Sequence, residues 1–259
     1  DSFRTLLDER YDAVFVGSGA PKGKELDIPG RWDPAVRDKI HIGIEWLSSV
    51  HFGHIESIGQ NVLIIGVGNT AMDCCRTSRR LGGTNTNVIA RRGRKFFKAS
   101  PWELEDAEEE GIHIIENHAP KRFVIEDGQL VGMEFERLEW SESNGRQTST
   151  VIETIIMPCD TVILAIGQDN AFPWIERDIG ITFDQWDMPE VNKASFQSSR
   201  PDVFFGGDAA WGPQNIIWAV KHGHQAAISI HKHCLGEDVT NRPAQGMHLS
   251  STKMGMHSW

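Results

Sequence analysis

The sequence predicts an α/β fold, and three observations carry that reading. Apolar runs short enough to be buried strands recur at 11–16, 61–65, 87–90, 112–115, 160–166 and 201–205. Segments of helical periodicity lie between several of them, as strand–helix–strand units require. Four of the runs break off at a glycine, namely Gly17, Gly66, Gly167 and Gly206. Glycine at a strand end lets the backbone turn sharply and come close to another group.

Taken in order, the 11–16 strand leads into a Gly17-Ser-Gly-Ala20 turn and a loop holding Ile28-Pro29-Gly30. An amphipathic helix is expected over 34–50, with Ile40, Ile44 and Leu47 on one face. The 61–65 strand runs into a glycine turn and a helix that places Ala71, Cys74, Ser78 and Leu81 at helical spacing before Gly82-Gly83 stops it. A strand at 87–90 follows. The next helix spans 101–110, with proline in its first turn and Gly111 as its stop. After a strand at 112–115 the pattern changes to two hairpins. Segments 122–125 and 130–135 flank Asp127-Gly128, and segments 138–140 and 150–155 flank a loop with Asn144-Gly145. Strands at 160–167 and 201–208 and a long helix over 215–234 complete the folded part. The stretch 237–259 has no periodicity and is expected to be a tail.

The glycine turn at 66–71 carries the clearest chemistry. Gly66 and Gly68 let the backbone turn and approach a pyrophosphate, and Ala71 is the small residue needed where helix packs on strand. The helix start, with Asn69 and Thr70, then presents unpaired N–H groups and a positive dipole end to an anion. An NAD-binding unit places a carboxylate at the end of the second strand, to bind the ribose hydroxyls. Here Arg91 and Arg92 stand there instead, with Arg94, Lys95 and Lys98 close behind. A guanidinium can hold a 2′-phosphate that a carboxylate would repel. No acidic residue occurs from 74 to 102, and the acidic residues resume at 103–110. Two solvated helix faces of opposite sign give the same pattern. An anion site for NADP(H) is the other reading, favoured by its position one strand after the glycine turn.

Composition narrows the rest. The chain has 259 residues and a formal net charge of −10, which argues against a general nucleic-acid surface. No apolar run is long enough to span a membrane. Its four cysteines, at 74, 75, 159 and 234, lack Cys-x-x-Cys spacing and fit a reduced, cytoplasmic protein, so neither a zinc site nor an iron–sulfur cluster is expected from them alone. The histidines at 222, 224, 231 and 233 are read as solvent-facing or cofactor-edge groups, with no metal site expected.

Phe205-Gly-Gly-Asp208 before a helix, Leu164-Ala-Ile-Gly-Gln168 and Gly66-Val-Gly-Asn-Thr-Ala-Met-Asp73 together resemble the two-dinucleotide flavoprotein reductases. The likeness is greatest to the small (beta) chain of NADPH-dependent glutamate synthase and its relatives. It covers about 11–236. The resemblance implies a two-dinucleotide-binding-domain flavoprotein fold, in which a Rossmann-like NADP domain is inserted in an FAD domain, here incomplete. The division would be an FAD-domain segment and linker helix over 1–55, the inserted NADP(H) domain with its β-hairpin flap over 56–156, the FAD-domain C-terminal segment over 157–236, and the tail. Ile166, Gly167, Gly207 and Asp208 would neighbour the flavin, and the first turn of the last helix, at Asn215 and Ile216, would face its pyrimidine ring. No general acid or base is implied.

Members of that group begin their FAD domain with a separate glycine fingerprint, usually behind a domain with cysteine-bound iron–sulfur clusters. Neither lies in this chain, so it is expected to be a C-terminal fragment of a longer flavoprotein, or to be completed by another chain. The implied reaction is hydride transfer from NADPH to FAD, with electrons passing to an iron–sulfur domain or a partner subunit. The alternatives are a flavin-free NADP-dependent dehydrogenase and a nucleotide-binding docking domain of a larger complex.

Overall fold

A computed structural model describes residues 2–9, 11–143 and 145–242, which form two compact units, one of 2–20 with 170–242 and the other of 21–169. The chain opens in the first unit with helix α1 (Phe3–Asp8), whose Ser2 side chain caps it by accepting the Thr5 N–H, and strand β1 (Val14–Val16).

The second unit follows. Strand β2 (Lys22–Gly23) leads to a 3₁₀ turn (Pro34–Lys39), strand β3 (Ile40–Ile42) and helix α2 (Gly43–His51). Next come β4 (Asn61–Ile65), α3 (Asn69–Arg80), β5 (Asn85–Ile89), a second 3₁₀ turn (Arg94–Phe96), α4 (Pro101–Glu109) and β6 (His113–Ile115). Three long strands form a separate antiparallel sheet: β7 (His118–Glu126), β8 (Gln129–Ser143) and β9 (Arg146–Pro158). The unit closes with β10 (Thr161–Leu164) and β11 (Gln168–Asp169), the latter pairing with β2.

The main sheet is parallel throughout, in the order β3-β10-β4-β5-β6. Its strands are apolar on both faces because both are covered. Val62 and Ile64 of β4 pack with Met72 and Cys75 of α3 and Leu104 of α4. Leu63 and Ile65, pointing the other way, pack with Phe123, Met133 and Phe135 of the antiparallel sheet. Each such fully buried Leu or Ile stabilises the fold by about 1.5–3 kcal/mol.

Two expectations are corrected here. The single helix over 34–50 is instead a 3₁₀ turn, the strand β3 and the shorter α2. Ile40 and Ile42 are buried strand residues in register with Val162 and Leu164, and pairing with β10 outweighs the helical spacing of Ile40, Ile44 and Leu47. The two hairpins are one three-stranded meander, because β8 runs unbroken across the segments read as two strands. Its Asp127-Gly128 turn is present, with φ of 49° and 73° as a type I′ turn needs. Of the Asn144-Gly145 turn, Asn144 lies outside the described residues, as does 243–259 of the expected tail.

Back in the first unit, β12 (Val203–Phe205) pairs in parallel with β1. Helix α5 (Asp208–Trp211) and helix α6 (Ile216–Cys234) follow. Phe3, Val16, Phe172, Val203, Phe205 and Ala209 are among the residues of its core.

Candidate functional site

Strand order reverses direction in the chain at β4, with β5 and β6 on one side and β10 and β3 on the other. The carboxyl end of β4 at such a switch point is where open parallel sheets place ligands. Gly66 stands there at φ +124°, and a Cβ on it would lie 2.2 Å from the Ala165 carbonyl oxygen at the end of β10. Only glycine fits that contact. Gly68 differs: nothing lies within 4 Å of the place a Cβ would take.

Gly68 is the N-cap of α3, and no side chain caps that helix. The N–H groups of Asn69 and Thr70 have no partner among the described residues, while that of Ala71 donates to the Gly68 carbonyl at 2.9 Å, and the positive end of a 12-residue helix dipole lies behind them. Ala71 is fully buried against the strand. The turn is braced from behind, since Val67 O accepts the N–H groups of Lys98 and Ala99 and Asn69 Oδ1 accepts that of Ser100. Asn69 thus spends its oxygen on the loop before α4, while Thr70 is half-buried at the mouth. An open cradle floored by glycine and lined with free N–H groups fits a dinucleotide pyrophosphate.

The basic residues after β5 divide into two sets. Arg76 and Arg80 of α3 pair with Glu110, and Arg76 also reaches Glu103 and Asp106. Arg94 holds Glu108 with two parallel bonds of 2.6 and 2.8 Å, which keeps that carboxyl below its usual range. Those arginines and the acidic α4 neutralise each other. Arg91 and Arg92 do not take part: both are exposed, and neither has an ion-pair partner among the described residues. The Arg92 guanidinium lies 5.1 Å from the Phe96 ring and 4.9 Å from the Trp140 ring, and Trp140 Nε1 donates to the Arg91 carbonyl at 3.3 Å. Neither aromatic residue was singled out from the sequence. Trp140 sits in β8, and only the fold carries it to the turn after β5.

Ile166 and Gly167 belong to the same unit as the glycine turn. Ile166 follows Ala165 at the end of β10, and Gly167, at φ +118°, accepts the Lys24 N–H. The other expected cofactor residues lie in the first unit. A Cβ on Gly206 would lie 2.8 Å from the Phe15 ring, and Gly207 adopts φ 61° and ψ −149°. Asp208 Oδ1 accepts the Gln214 N–H at 3.0 Å, leaving Oδ2 without a partner among the described residues. The Asn215 side chain caps α6 by accepting the Trp218 N–H. The N–H groups of Ile216 and Ile217 have no partner among the described residues at this helix start, and both side chains are exposed. Glycine, a carboxylate with one free oxygen and an exposed apolar helix start suit one edge of a flavin.

His222 lies among rings, with centroids 4.6 Å from Trp211 and 5.4 Å from Phe196, and its burial pushes its pKa down. Burial also pushes the thiols of Cys75 and Cys159 up to about 12 and that of Cys74 higher still, so these three are not nucleophilic thiolates at neutral pH.

A parallel sheet whose switch point opens onto a glycine turn and an uncapped helix defines the class of dinucleotide-binding α/β proteins. The family profile of the pyridine nucleotide-disulphide oxidoreductases matches residues 6–223. The chain belongs to that family of NAD(P)H-dependent flavoprotein oxidoreductases. It is 33% identical over 246 residues to the glutamate synthase [NADPH] small chain of Halomonas elongata, covering 88% of this chain and 51% of that protein. It is 29% identical over 251 residues to the NADPH-Fe(3+) oxidoreductase subunit beta of Geobacter sulfurreducens, covering 87% of this chain and 37% of that protein. The chain therefore spans between about a third and a half of the length of these relatives. Among solved structures, FprA from Mycobacterium tuberculosis in complex with NADPH superposes with a TM-score of 0.70 at 18% identity, over 90% of this chain and 66% of that one. That likeness is one of fold. No helix among the described residues is long and apolar enough to cross a membrane.

Proposed function

We propose that this chain is the NADP(H)-binding part, and a portion of the FAD-binding part, of an oxidoreductase like the glutamate synthase small chain. One observation carries the reading. The N-terminus of α3, uncapped by any side chain, stands one strand before two arginines that no carboxylate among the described residues neutralises. The pyrophosphate of NADPH is held by the Gly66–Gly68 turn and the first-turn N–H groups of Asn69 and Thr70, with the small Ala71 letting the helix pack close to the strand. Arg91 and Arg92 hold the 2′-phosphate with charge-assisted bonds. We assign the NADP(H) domain with its flap, expected over 56–156, to the whole 21–169 unit, because β3 and β10 lie in one sheet with β4, and the FAD-domain segments, expected over 1–55 and 157–236, to 2–20 and 170–242.

The chemistry FAD supplies when bound is acceptance of the hydride that leaves the nicotinamide. The chain's own residues bind and orient. Gly207 would let a ring system lie against the backbone, Asp208 Oδ2 would accept a cofactor hydroxyl, and the N–H groups at Ile216 and Ile217 would favour negative charge beside them. Ile166 and Gly167, expected as flavin neighbours, lie in the same unit as the glycine turn, and we read them as lining the approach of the nicotinamide instead. No proton donor is required for a hydride step. The electrons would pass on to an iron–sulfur cluster or a partner subunit; the names of the relatives, a small chain and beta subunits, support a partner subunit. Strand β1 has no neighbour on its second edge among the described residues. That edge suits a further strand of the FAD domain, contributed by a longer chain or by a partner. A cytoplasmic location fits this chemistry.

The test is made on the intact enzyme that contains this chain. Its visible flavin absorbance is expected to bleach on anaerobic addition of NADPH, and to bleach much more slowly with NADH. Purified intact enzyme without flavin, yet oxidising NADPH, would favour a flavin-free dehydrogenase. Nucleotide binding with neither flavin nor turnover would leave a docking role.

A further inference from the structure

Arg92 has a setting that none of the other basic residues of this segment shares. Its guanidinium carbon lies 5.1 Å from the centroid of Phe96, which belongs to the 3₁₀ turn just after it, and 4.9 Å from that of Trp140, on the distant strand β8. Trp140 also fastens the turn itself through its indole N–H on the Arg91 carbonyl. Arg94 is held instead by Glu108, and Lys95 by the same Phe96 ring at 5.0 Å.

Aromatic rings attract a guanidinium through its flat faces, whereas its N–H donors point outward in the plane. A ring contact therefore leaves the fork free to bind a phosphate. It also restricts a side chain that carries about 2 kcal/mol of rotamer entropy, so less freedom is lost when the anion arrives. An ion pair with a carboxylate would restrict it too, but would occupy the donors. The aromatic contact restrains the side chain while leaving all five donors and the full charge for the anion.

We propose that Trp140, aided by Phe96, is a positioning residue that holds Arg92 ready for the 2′-phosphate, so that preference for the phosphorylated coenzyme depends on a flap residue. The inference rests on the NADP(H) reading given above and adds the residue that enforces it. Trp140 touches the arginine and the turn, and its effect reaches the nucleotide only through them.

The test titrates the whole chain calorimetrically with 2′,5′-ADP and with 5′-AMP, which differ by the phosphate alone. Trp140→Leu is expected to weaken 2′,5′-ADP binding by about five- to tenfold, the range of a partly desolvated cation–π contact, with 5′-AMP changed by less than about twofold. Trp140→Phe, which keeps a ring, restores most of the loss. In an Arg92→Ala background Trp140→Leu has no further effect on 2′,5′-ADP. Phe96→Leu, on a separate element, weakens 2′,5′-ADP in the same selective way and serves if Trp140→Leu does not fold by circular dichroism.

Equal weakening of both nucleotides would mean that Trp140 stacks on adenine or only supports the fold, and would overturn the proposal. So would an unchanged affinity for 2′,5′-ADP, or losses that add in the double variant. The underlying reading fails separately: if Arg91→Ala/Arg92→Ala leaves the discrimination between the two nucleotides intact, the arginines are not the phosphate site. If that variant loses discrimination while Trp140→Leu and Phe96→Leu keep it, the clamp alone is wrong.

Discussion

Gly66 and Gly68 stand two residues apart in one turn, yet a methyl group added at each meets different surroundings. At Gly66 it would strike the Ala165 carbonyl on a backbone already at φ +124°. Gly66→Ala is expected to destabilise the 21–169 unit by about 1–3 kcal/mol, read by urea unfolding. At Gly68 the backbone is extended and the space is open, so Gly68→Ala should unfold within about 0.5 kcal/mol of the parent chain. Its methyl group intrudes where the pyrophosphate approaches, and affinity for NADP⁺ should fall more than about tenfold. Large destabilisation at Gly68, with binding intact, would show that the two roles are assigned the wrong way round. The spacing of these glycines was legible in the sequence. Their division of labour was not, because it is set by Ala165, nearly a hundred residues downstream. Arg91 and Arg92 were likewise legible as a pair, while the rings that hold Arg92 were not.

At the level of elements, the contrast between β4–α3–β5 and the 34–50 segment explains what sequence could reveal. The first is a long apolar run, a glycine turn and a strongly periodic helix, three local signals that agree. In the second, Ile40 fits a helical pattern with Ile44 and Leu47 and an extended one with Ile42 and Ile44, and a short run cannot decide between them. The strand β10 decides, and it lies more than a hundred residues away. The meander was misread for a related reason: the charged residues within β8 resemble a break but face solvent or pair across strands, as Arg137 does with Glu153.

The α3–α4 pair offers an electrostatic test of the same kind. Burial alone pushes the Glu110 carboxyl up, but Arg76 and Arg80 outweigh it and hold its pKa below the ordinary 4.5. A carboxyl with a depressed folded-state pKa stabilises the fold above its unfolded value, and that contribution disappears as pH falls through the folded value. Glu110→Gln should therefore cost about 1 kcal/mol or less at neutral pH and nothing extra well below pH ~4, by urea unfolding at both. A penalty that persists undiminished in acid would mean that packing, not charge, is what Glu110 provides.

For the molecule as a whole, the two units present unequal cases. The 21–169 unit has a covered five-stranded sheet and an open glycine turn at its switch point, and the coenzyme site proposed there rests on features already visible in the sequence, the glycine spacing and the arginine pair. The unit of 2–20 with 170–242 has only a two-stranded parallel pair, and it exposes Phe15, Ile216, Ile217 and Val220. The chain spans about a third to a half of the length of the curated relatives it matches. Sequence pattern pointed to this half only by resemblance, since its strand ends and helix start are ordinary features taken singly. Both units are needed for the proposed reaction, but the first step belongs to the coenzyme site alone.

Calorimetric titration of the chain with NADP⁺ and with NAD⁺, before and after Arg91→Ala/Arg92→Ala, addresses that step directly. NADP⁺ should bind at least about tenfold tighter than NAD⁺, the equivalent of one charge-assisted hydrogen bond, and the double variant should bind both alike. Equal affinity of the parent chain for the two coenzymes, or a preference that survives loss of both arginines, would contradict the assignment of this turn as the site that selects the phosphorylated coenzyme.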